Sequence, residues 1–183
     1  MRARPATVAL AAAVALTALA APAASAGTPA GKPAPCAEKD LTVRAEPSDG
    51  SDGVIALSVR NDAARACLVD GAPTVTYGEL DGAALPVPEP RHGGRTLAGH
   101  HTLHAAVRSL SDSEDAEKDA RTVMSLHVSA VPDHDGRTFQ VLKLGAPAGL
   151  RVYEPVTTLW QPSPARAAQV LLEETTGRGV LAV

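Results

Sequence analysis

Three histidines, His100, His101 and His104, have the spacing in this sequence that most resembles a metal site. On a helix, His100 and His104 would share one face and could bind a metal ion together. The glutamate of the metalloprotease motif is missing, because Thr102 and Leu103 fill the interior of the segment. On a strand, His100 and His104 would lie roughly 13 Å apart, with His101 on the opposite face. We favour the strand, in which these histidines are polar edge residues, and keep a metal site as the alternative.

Two further segments contain side chains that can act as metal ligands. Residues 133–136 read Asp-His-Asp-Gly, but this order is also favoured in hairpin turns, and we predict a turn. Residues 111–119 are acidic but lack the glycine-punctuated spacing of a dedicated Ca²⁺ loop, so we predict a solvated loop. The sequence contains neither a Gly-x-Ser-x-Gly elbow nor a glycine-rich phosphate loop. We therefore predict no catalytic residue, no cofactor and no enzymatic activity.

Aromatic residues make up only 2% of the chain. Carbohydrate and single-strand binding depend on exposed aromatic platforms, so both are disfavoured. The large aromatic side chains are predicted to lie in the core or at an end of the domain, and they are Tyr77, Phe139, Tyr153 and Trp160.

The first 26 residues are predicted to be a secretory signal peptide. Two arginines precede an apolar run over residues 7–20, and a small-x-small cleavage site ends at Ala26. The run is too short for a membrane anchor, so we expect cleavage after Ala26, a secreted or extracytoplasmic protein and no membrane span in the mature chain. Of 17 basic residues, 15 would remain beside 20 acidic ones, a net charge of −5. An evenly spread acidic charge argues against a nucleic-acid partner.

The chain contains two cysteines, Cys36 and Cys67. In an oxidising compartment an even number of cysteines is expected to pair, so export predicts a Cys36–Cys67 disulfide. Two separate buried thiols are the alternative. A redox-active pair is disfavoured because the spacing is not Cys-x-x-Cys.

Apolar and polar residues alternate at every second position in several segments, which is typical of half-buried strands. These segments are 41–46, 55–60, 74–77 and 124–130. Residues 138–144 and 149–159 are predicted to be two more strands. Residues 101–110 fit a strand or a helix face, and we favour the strand. Seven or eight short strands with turns between them indicate an all-β, antiparallel sandwich.

We expect four regions along the chain. They are a signal peptide (1–26), a linker (27–35), a β-sandwich domain (36–161) and a C-terminal tail (162–183). Within the tail, residues 165–174 have helical composition, with Ala167, Val170 and Leu171 at helical spacing. This helix either docks on the sandwich or stays mobile.

Three segments together resemble a known family. They are Pro35-Cys36-x4-Leu41-x-Val43, Leu57-Ser58-Val59-Arg60-Asn61 and Ala66-Cys67-Leu68-x-x-Gly71-x-Pro73-x-Val75, followed by Leu97-Ala98-Gly99. The chain is similar over residues 36–159 to the actinobacterial secreted "domain of unknown function 4232" family. This resemblance implies an extracytoplasmic, immunoglobulin-like sandwich without an assigned activity. Family members often carry a lipid anchor and a second cysteine pair, and this sequence has neither pattern.

We therefore predict an exported, non-catalytic and monomeric β-sandwich module that binds a protein or a component of the cell envelope. The sequence does not predict its binding residues. The alternative is a metal-dependent enzyme or metal-binding protein that uses the cluster from His100 to His104. A spacer module without a ligand is a third possibility.

Overall fold

The computed structural model describes residues 33–48, 53–90 and 93–176. The predicted signal peptide, linker residues 27–32 and tail residues 177–183 lie outside this part of the chain. The described residues form β1 (Leu41–Pro47), β2 (Val54–Asn61), β3 (Cys67–Val69), β4 (Thr74–Tyr77), β5 (Leu85–Val87), β6 (Arg95–Leu97), β7 (Thr102–Arg108), β8 (Arg121–Val123), β9 (Ser125–Ser129), β10 (Arg137–Gln140), β11 (Leu150–Val152) and β12 (Val156–Thr158). They also form two helices, α1 (Glu114–Asp119) and α2 (Pro164–Thr176).

The strands are arranged in one large and three small sheets. The five-stranded sheet has the order β1-β2-β7-β12-β5, and the three-stranded sheet has the order β10-β9-β4. Two further pairs are β11 with β8 and β3 with β6. The predicted all-β, sandwich-like fold with a short C-terminal helix is confirmed. The described residues contain twelve strands, not seven or eight, and β12 pairs with β5 in parallel, where antiparallel pairing was predicted.

The main core lies against one face of the five-stranded sheet. In the β2–β7 pair, Ile55 lies opposite Val107, Leu57 opposite Ala105 and Val59 opposite Leu103, and all six side chains are buried. The three-stranded sheet adds four buried side chains to the same cluster, namely Val75, Tyr77, Leu126 and Val128. Strict alternation along each strand therefore gives both sheets an apolar face toward one core.

Helix α2 covers part of the opposite face of the five-stranded sheet. Ala167 and Leu171 pack against Val87 of β5 and Ala106 of β7 in a separate cluster. The helix begins after Ser163, whose hydroxyl oxygen accepts a hydrogen bond from the backbone N–H of Arg166 at 3.2 Å, an N-cap interaction. The predicted helix is confirmed, and it docks on the sheet. Within the described residues, no helix is both long and apolar enough to cross a membrane.

The disulfide connects the start of the domain to β3. Cys36 and Cys67 are bonded, with their Cα atoms 4.8 Å apart, which confirms the predicted pairing. The backbone N–H of Leu68 donates to the carbonyl of Ala34 at 2.9 Å, and that of Cys36 donates to the carbonyl of Leu68 at 2.8 Å. Pairing with β3 thus begins before Cys36, within the predicted linker.

The fully buried Asn61 joins the loop between β2 and β3 to the end of β6 and the loop that follows it. Its side-chain amide donates to the carbonyls of Arg65, Leu97 and Ala98. Its side-chain oxygen accepts a hydrogen bond from the backbone N–H of Ala63 at 3.0 Å. A buried amide is tolerated only when its polar atoms have partners, and these four contacts supply them.

Two predicted strands are wrong in part. In segment 138–144 the strand ends at Gln140, and Val141–Leu144 form a 3-10 helix. Val141 and Leu144 are three residues apart and both buried, a spacing that suits a 3-10 turn. Segment 149–159 is split, because Glu154 has a φ of 46° and the next residue is Pro155. Its two halves therefore lie in different sheets, as β11 and β12.

Two local predictions also fail. The acidic segment 111–119 contains helix α1, which buries Ala116. Carboxylates in a first helical turn interact favourably with the helix dipole, so an acidic stretch can begin a helix. The alternating run 124–130 is a strand only from Ser125, and Met124 is 55% exposed between β8 and β9.

Candidate functional site

The three histidines lie at the start of β7. His100 has a φ of 60° in the turn before the strand, and it is exposed, as is His101. His104 is half-buried on the strand, opposite Ser58 of β2. The predicted strand is confirmed, so the helical geometry that would join His100 and His104 is absent from this segment. No three histidine, cysteine or carboxylate side chains within the described residues are grouped to bind a metal ion.

His104 instead connects β7 to the segment before α2 through backbone hydrogen bonds. Its backbone N–H donates to the carbonyl of Gln161 at 2.8 Å, and the N–H of Gln161 donates back at 2.6 Å. Burial lowers the pKa of the His104 imidazole. The backbone of His104 therefore holds the segment that leads into α2.

Residues 133–136 lie in the loop between β9 and β10, but its turn spans residues 131–134, two positions earlier than predicted, and is closed by a hydrogen bond from the N–H of His134 to the carbonyl of Val131 at 3.0 Å. Gly136 has a φ of 66°, and its backbone N–H donates to the Glu38 carboxylate at 2.8 Å. A Cβ atom at Gly136 would lie 2.5 Å from the carbonyl oxygen of Val128, so only glycine fits. A cleft of about 330 Å³ lies beside this turn. The Ser129 hydroxyl in that cleft already donates to the carbonyl of Val131.

A second cleft lies where β4 ends and β12 begins, and we call it the Tyr77 cleft. Its volume is about 270 Å³. It is lined by Tyr77, Leu80, Asp81, Gly82, Ala83, Val152, Tyr153, Glu154 and Pro155. Two loops thus form it, one after β4 and one between β11 and β12.

Tyr77 lines this cleft, and its side chain carries a buried polar atom. The residue is 2% exposed, and its hydroxyl group has no hydrogen-bond partner among the described residues. Burial also raises the pKa of this hydroxyl, so it stays protonated. A buried hydroxyl without a partner costs about 1–3 kcal/mol of stability.

Glu154, on the other side of the Tyr77 cleft, has a strained backbone. Its φ of 46° lies in the left-handed region, which is unfavourable for a residue with a Cβ atom. Hydrogen bonds on both sides hold this conformation. The N–H of Tyr153 donates to the carbonyl of Ser109 at 2.9 Å, and the carbonyl of Pro155 accepts from the N–H of Leu85 at 2.9 Å.

The charges near Tyr153 are mainly negative. Partial burial raises the pKa of its hydroxyl, and the carboxylates of Glu154, Asp115 and Asp119 raise it further. The two aspartates belong to α1, whose C-terminal carbonyls accept hydrogen bonds from the Arg151 guanidinium. Arg151 therefore connects β11 to the C-terminal end of α1.

Other unpartnered or exposed groups do not mark a comparable site. The buried Nε of Arg108 also lacks a partner among the described residues, but the same guanidinium donates to the Asp112 carboxylate at 2.7 Å. The indole N–H of Trp160 is also without a partner among the described residues, but Trp160 is fully buried in the main core, as predicted. A cleft of about 360 Å³ beside β5 is lined mainly by alanine and proline. Its Asp70 carboxylate already accepts a hydrogen bond from the N–H of Gly71 at 2.8 Å.

The sequence interpretation placed Tyr77 and Tyr153 in the core or at an end of the domain and did not assign them to a site. Tyr77 and Glu154 are far apart in the sequence, and the pairing of distant strands brings them together. The one local signal is Glu154-Pro155, which interrupts the segment predicted as a single strand over residues 149–159.

A protein-family model described as a domain of unknown function (DUF4232) matches residues 36–168, which is more than half of the chain. The match confirms the family expected from the two cysteine-containing segments and reaches the first residues of α2. Searches of curated proteins and of solved structures each find no match.

Proposed function

The chain belongs to the DUF4232 family, and from this premise we propose that it is an exported, non-catalytic module that binds a protein or a component of the cell envelope. The disulfide supports export, because such bonds persist in oxidising compartments. An actinobacterial source, an immunoglobulin-like sandwich and a monomeric state belong to the same proposal. The first two rest on the family resemblance.

One observation carries the binding role. The Tyr77 cleft combines a buried hydroxyl without a partner and a left-handed Glu154. Each feature lowers the stability of the fold, and such features cluster where a protein binds its ligands. A ligand that donates to, or accepts from, the Tyr77 hydroxyl would remove the first of these costs.

The lining of the Tyr77 cleft favours binding over catalysis. Its ionisable side chains are two tyrosines and two carboxylates, and its lining has no histidine, cysteine, serine or lysine. Since burial keeps Tyr77 protonated, this group is suited to hydrogen bonding and not to nucleophilic attack. The metal-dependent alternative receives no support from His100, His101 and His104, which lie on a turn and a strand.

Capture from a cell-envelope extract tests this function. The mature, oxidised chain is immobilised beside an Ala83→Trp variant, which places an indole at an exposed residue that lines both the Tyr77 cleft and the cleft beside β5. We expect a partner that the wild-type chain retains and Ala83→Trp loses. Ala168→Trp, at an exposed position of α2, and Leu85→Ala, in the neighbouring cleft beside β5, should both retain it. Retention by Ala83→Trp at the wild-type level would refute the assignment of the cleft.

A further inference from the structure

We infer that the Tyr77 cleft recognises a ligand through a positively charged amine or guanidinium group on an apolar stem. This inference rests on the proposed function, because it names the chemical class that the same cleft binds. Three observations support it: the charges around the cleft, the buried hydroxyl of Tyr77 and the apolar side chains that line the cleft.

Two acidic residues line the cleft, and two more act on the hydroxyl of Tyr153. Asp81 and Glu154 line it and are both exposed, while Asp115 and Asp119 of α1 act on the hydroxyl of Tyr153 from outside. Among the nearby cations, Arg121 opposite Val152 and Lys118 of α1 add positive charge but are outnumbered by these four carboxylates, and two arginines are already engaged. Arg151 donates to the carbonyls of Ala116 and Glu117, and Arg108 is paired with Asp112 at 2.7 Å. An incoming cation would therefore be attracted here and an anion repelled.

The two tyrosines suit the same group. The Tyr77 hydroxyl is covered in the free chain. If a ligand displaces the groups that cover it, its oxygen can accept a hydrogen bond from an ammonium or guanidinium N–H, which would give this buried atom the partner that it lacks. The ring of Tyr153 is half-buried in the wall, and a cation over a tyrosine ring is attracted by the negative face of the π-system. Recognition would thus combine a neutral acceptor, an aromatic face and carboxylates.

The remaining wall suits an alkyl stem. Leu80, Val152 and Pro155 are apolar and at least half-buried. The volume of about 270 Å³ is just below the range of roughly 300–1,000 Å³ that is typical of small-molecule pockets. The cleft therefore fits one side chain or one small amine. The cation belongs either to a lysine or arginine of a protein partner or to a free alkylamine.

Titration of the ¹⁵N-labelled, oxidised mature chain tests this inference, with binding followed by amide chemical shifts. The probes are agmatine, an acetylated hexapeptide amide with one arginine, and the same peptide with citrulline, which is neutral and nearly isosteric. We expect saturable shifts of residues 77–83 and 152–155 with a cationic probe, weakened by added salt, and no binding of the citrulline peptide. Binding of agmatine alone would indicate a free amine, and binding of the arginine peptide would indicate a protein side chain.

Charge variants complete the test. Glu154→Gln and Asp81→Asn should each weaken binding of the cationic probe by about fivefold. Glu46→Gln, at the opposite edge of the five-stranded sheet, should leave it unchanged. Equal binding of the citrulline and arginine peptides, or no binding of any cation, would overturn the inference. The proposed function would survive that result if Ala83→Trp still loses the envelope partner. If Ala83→Trp keeps that partner, the function fails whatever the cationic probes show.

Discussion

Glu154 adopts a backbone conformation that its residue type disfavours. A left-handed residue with a Cβ atom is strained by about 1–2 kcal/mol, and Glu154 has a φ of 46°. We expect Glu154→Gly to raise the free energy of unfolding by about 0.5–1 kcal/mol, since glycine removes the strain but adds entropy to the unfolded chain. Urea denaturation measures this change.

The matched control is Glu46→Gly, in the extended strand β1. Here glycine should lower the free energy of unfolding by about 0.5–1 kcal/mol. If both glycine variants are destabilised to the same extent, the backbone of Glu154 is not strained. Its conformation would then give no support to a binding site at the Tyr77 cleft.

His104 should make stability depend on pH. Burial lowers the pKa of its imidazole in the folded chain, so the unfolded chain binds a proton more readily near the ordinary pKa of about 6.5. Because the unfolded state then binds more protons, stability falls as the pH drops below that value. We expect His104→Gln to lose less stability than the wild type between pH 7.5 and pH 5 in urea titrations. An equal loss in both proteins would contradict this role.

At the scale of strands and loops, one close approach depends on a glycine. A Cβ atom at Gly99 would lie 2.1 Å from the carbonyl oxygen of Ala64, so the loop between β6 and β7 would have to move. We expect Gly99→Ala to lower the free energy of unfolding by about 1–3 kcal/mol, as overpacking does. Gly93→Ala is the control, because a Cβ atom there meets no atom within 4 Å. Similar melting temperatures for the two variants would show that this contact is not tight.

The long strands could be predicted because each has two different faces. Along β2 and β7 the apolar residues face the main core at every second position. Strands of three residues, such as β3, β5 and β6, are too short to show alternation. Segment 149–159 looked continuous because the left-handed residue that splits it, Glu154, is not a glycine.

The site was harder to predict than the fold. Tyr77 has the alternation of a buried strand residue, and it is one, so nothing local reveals that its hydroxyl lacks a partner. That property depends on which groups surround the hydroxyl in the folded chain. The histidines gave the strongest sequence signal for a site, but a strand cannot bring their side chains together.

For the molecule as a whole, the disulfide closes a loop that contains β1 and β2. Its cysteines are 31 positions apart, and a loop of this size contributes about 3–4 kcal/mol in the chain-entropy model. A domain is typically stable by about 5–15 kcal/mol, so this is a large fraction. We expect reduction to lower the free energy of unfolding by about 3–4 kcal/mol, measured by urea denaturation with and without reductant.

A variant with both Cys36→Ala and Cys67→Ala controls for other effects of the reductant. Its free energy of unfolding should be the same with and without reductant. Equal stability of the oxidised and reduced wild-type chain would show that the bond does not support the fold. Rapid alkylation of both thiols before unfolding would contradict the burial of Cys36, which is 2% exposed.

The central claim is that the Tyr77 cleft keeps a destabilising hydroxyl because that group binds a ligand. Tyr77→Phe removes only this hydroxyl, and the measurement is its urea stability together with its retention of the envelope partner. We expect the free energy of unfolding to rise by about 1 kcal/mol, because an unsatisfied buried group is removed, while retention of the partner falls. A less stable variant, or one that retains the partner as well as the wild-type chain, would contradict the claim.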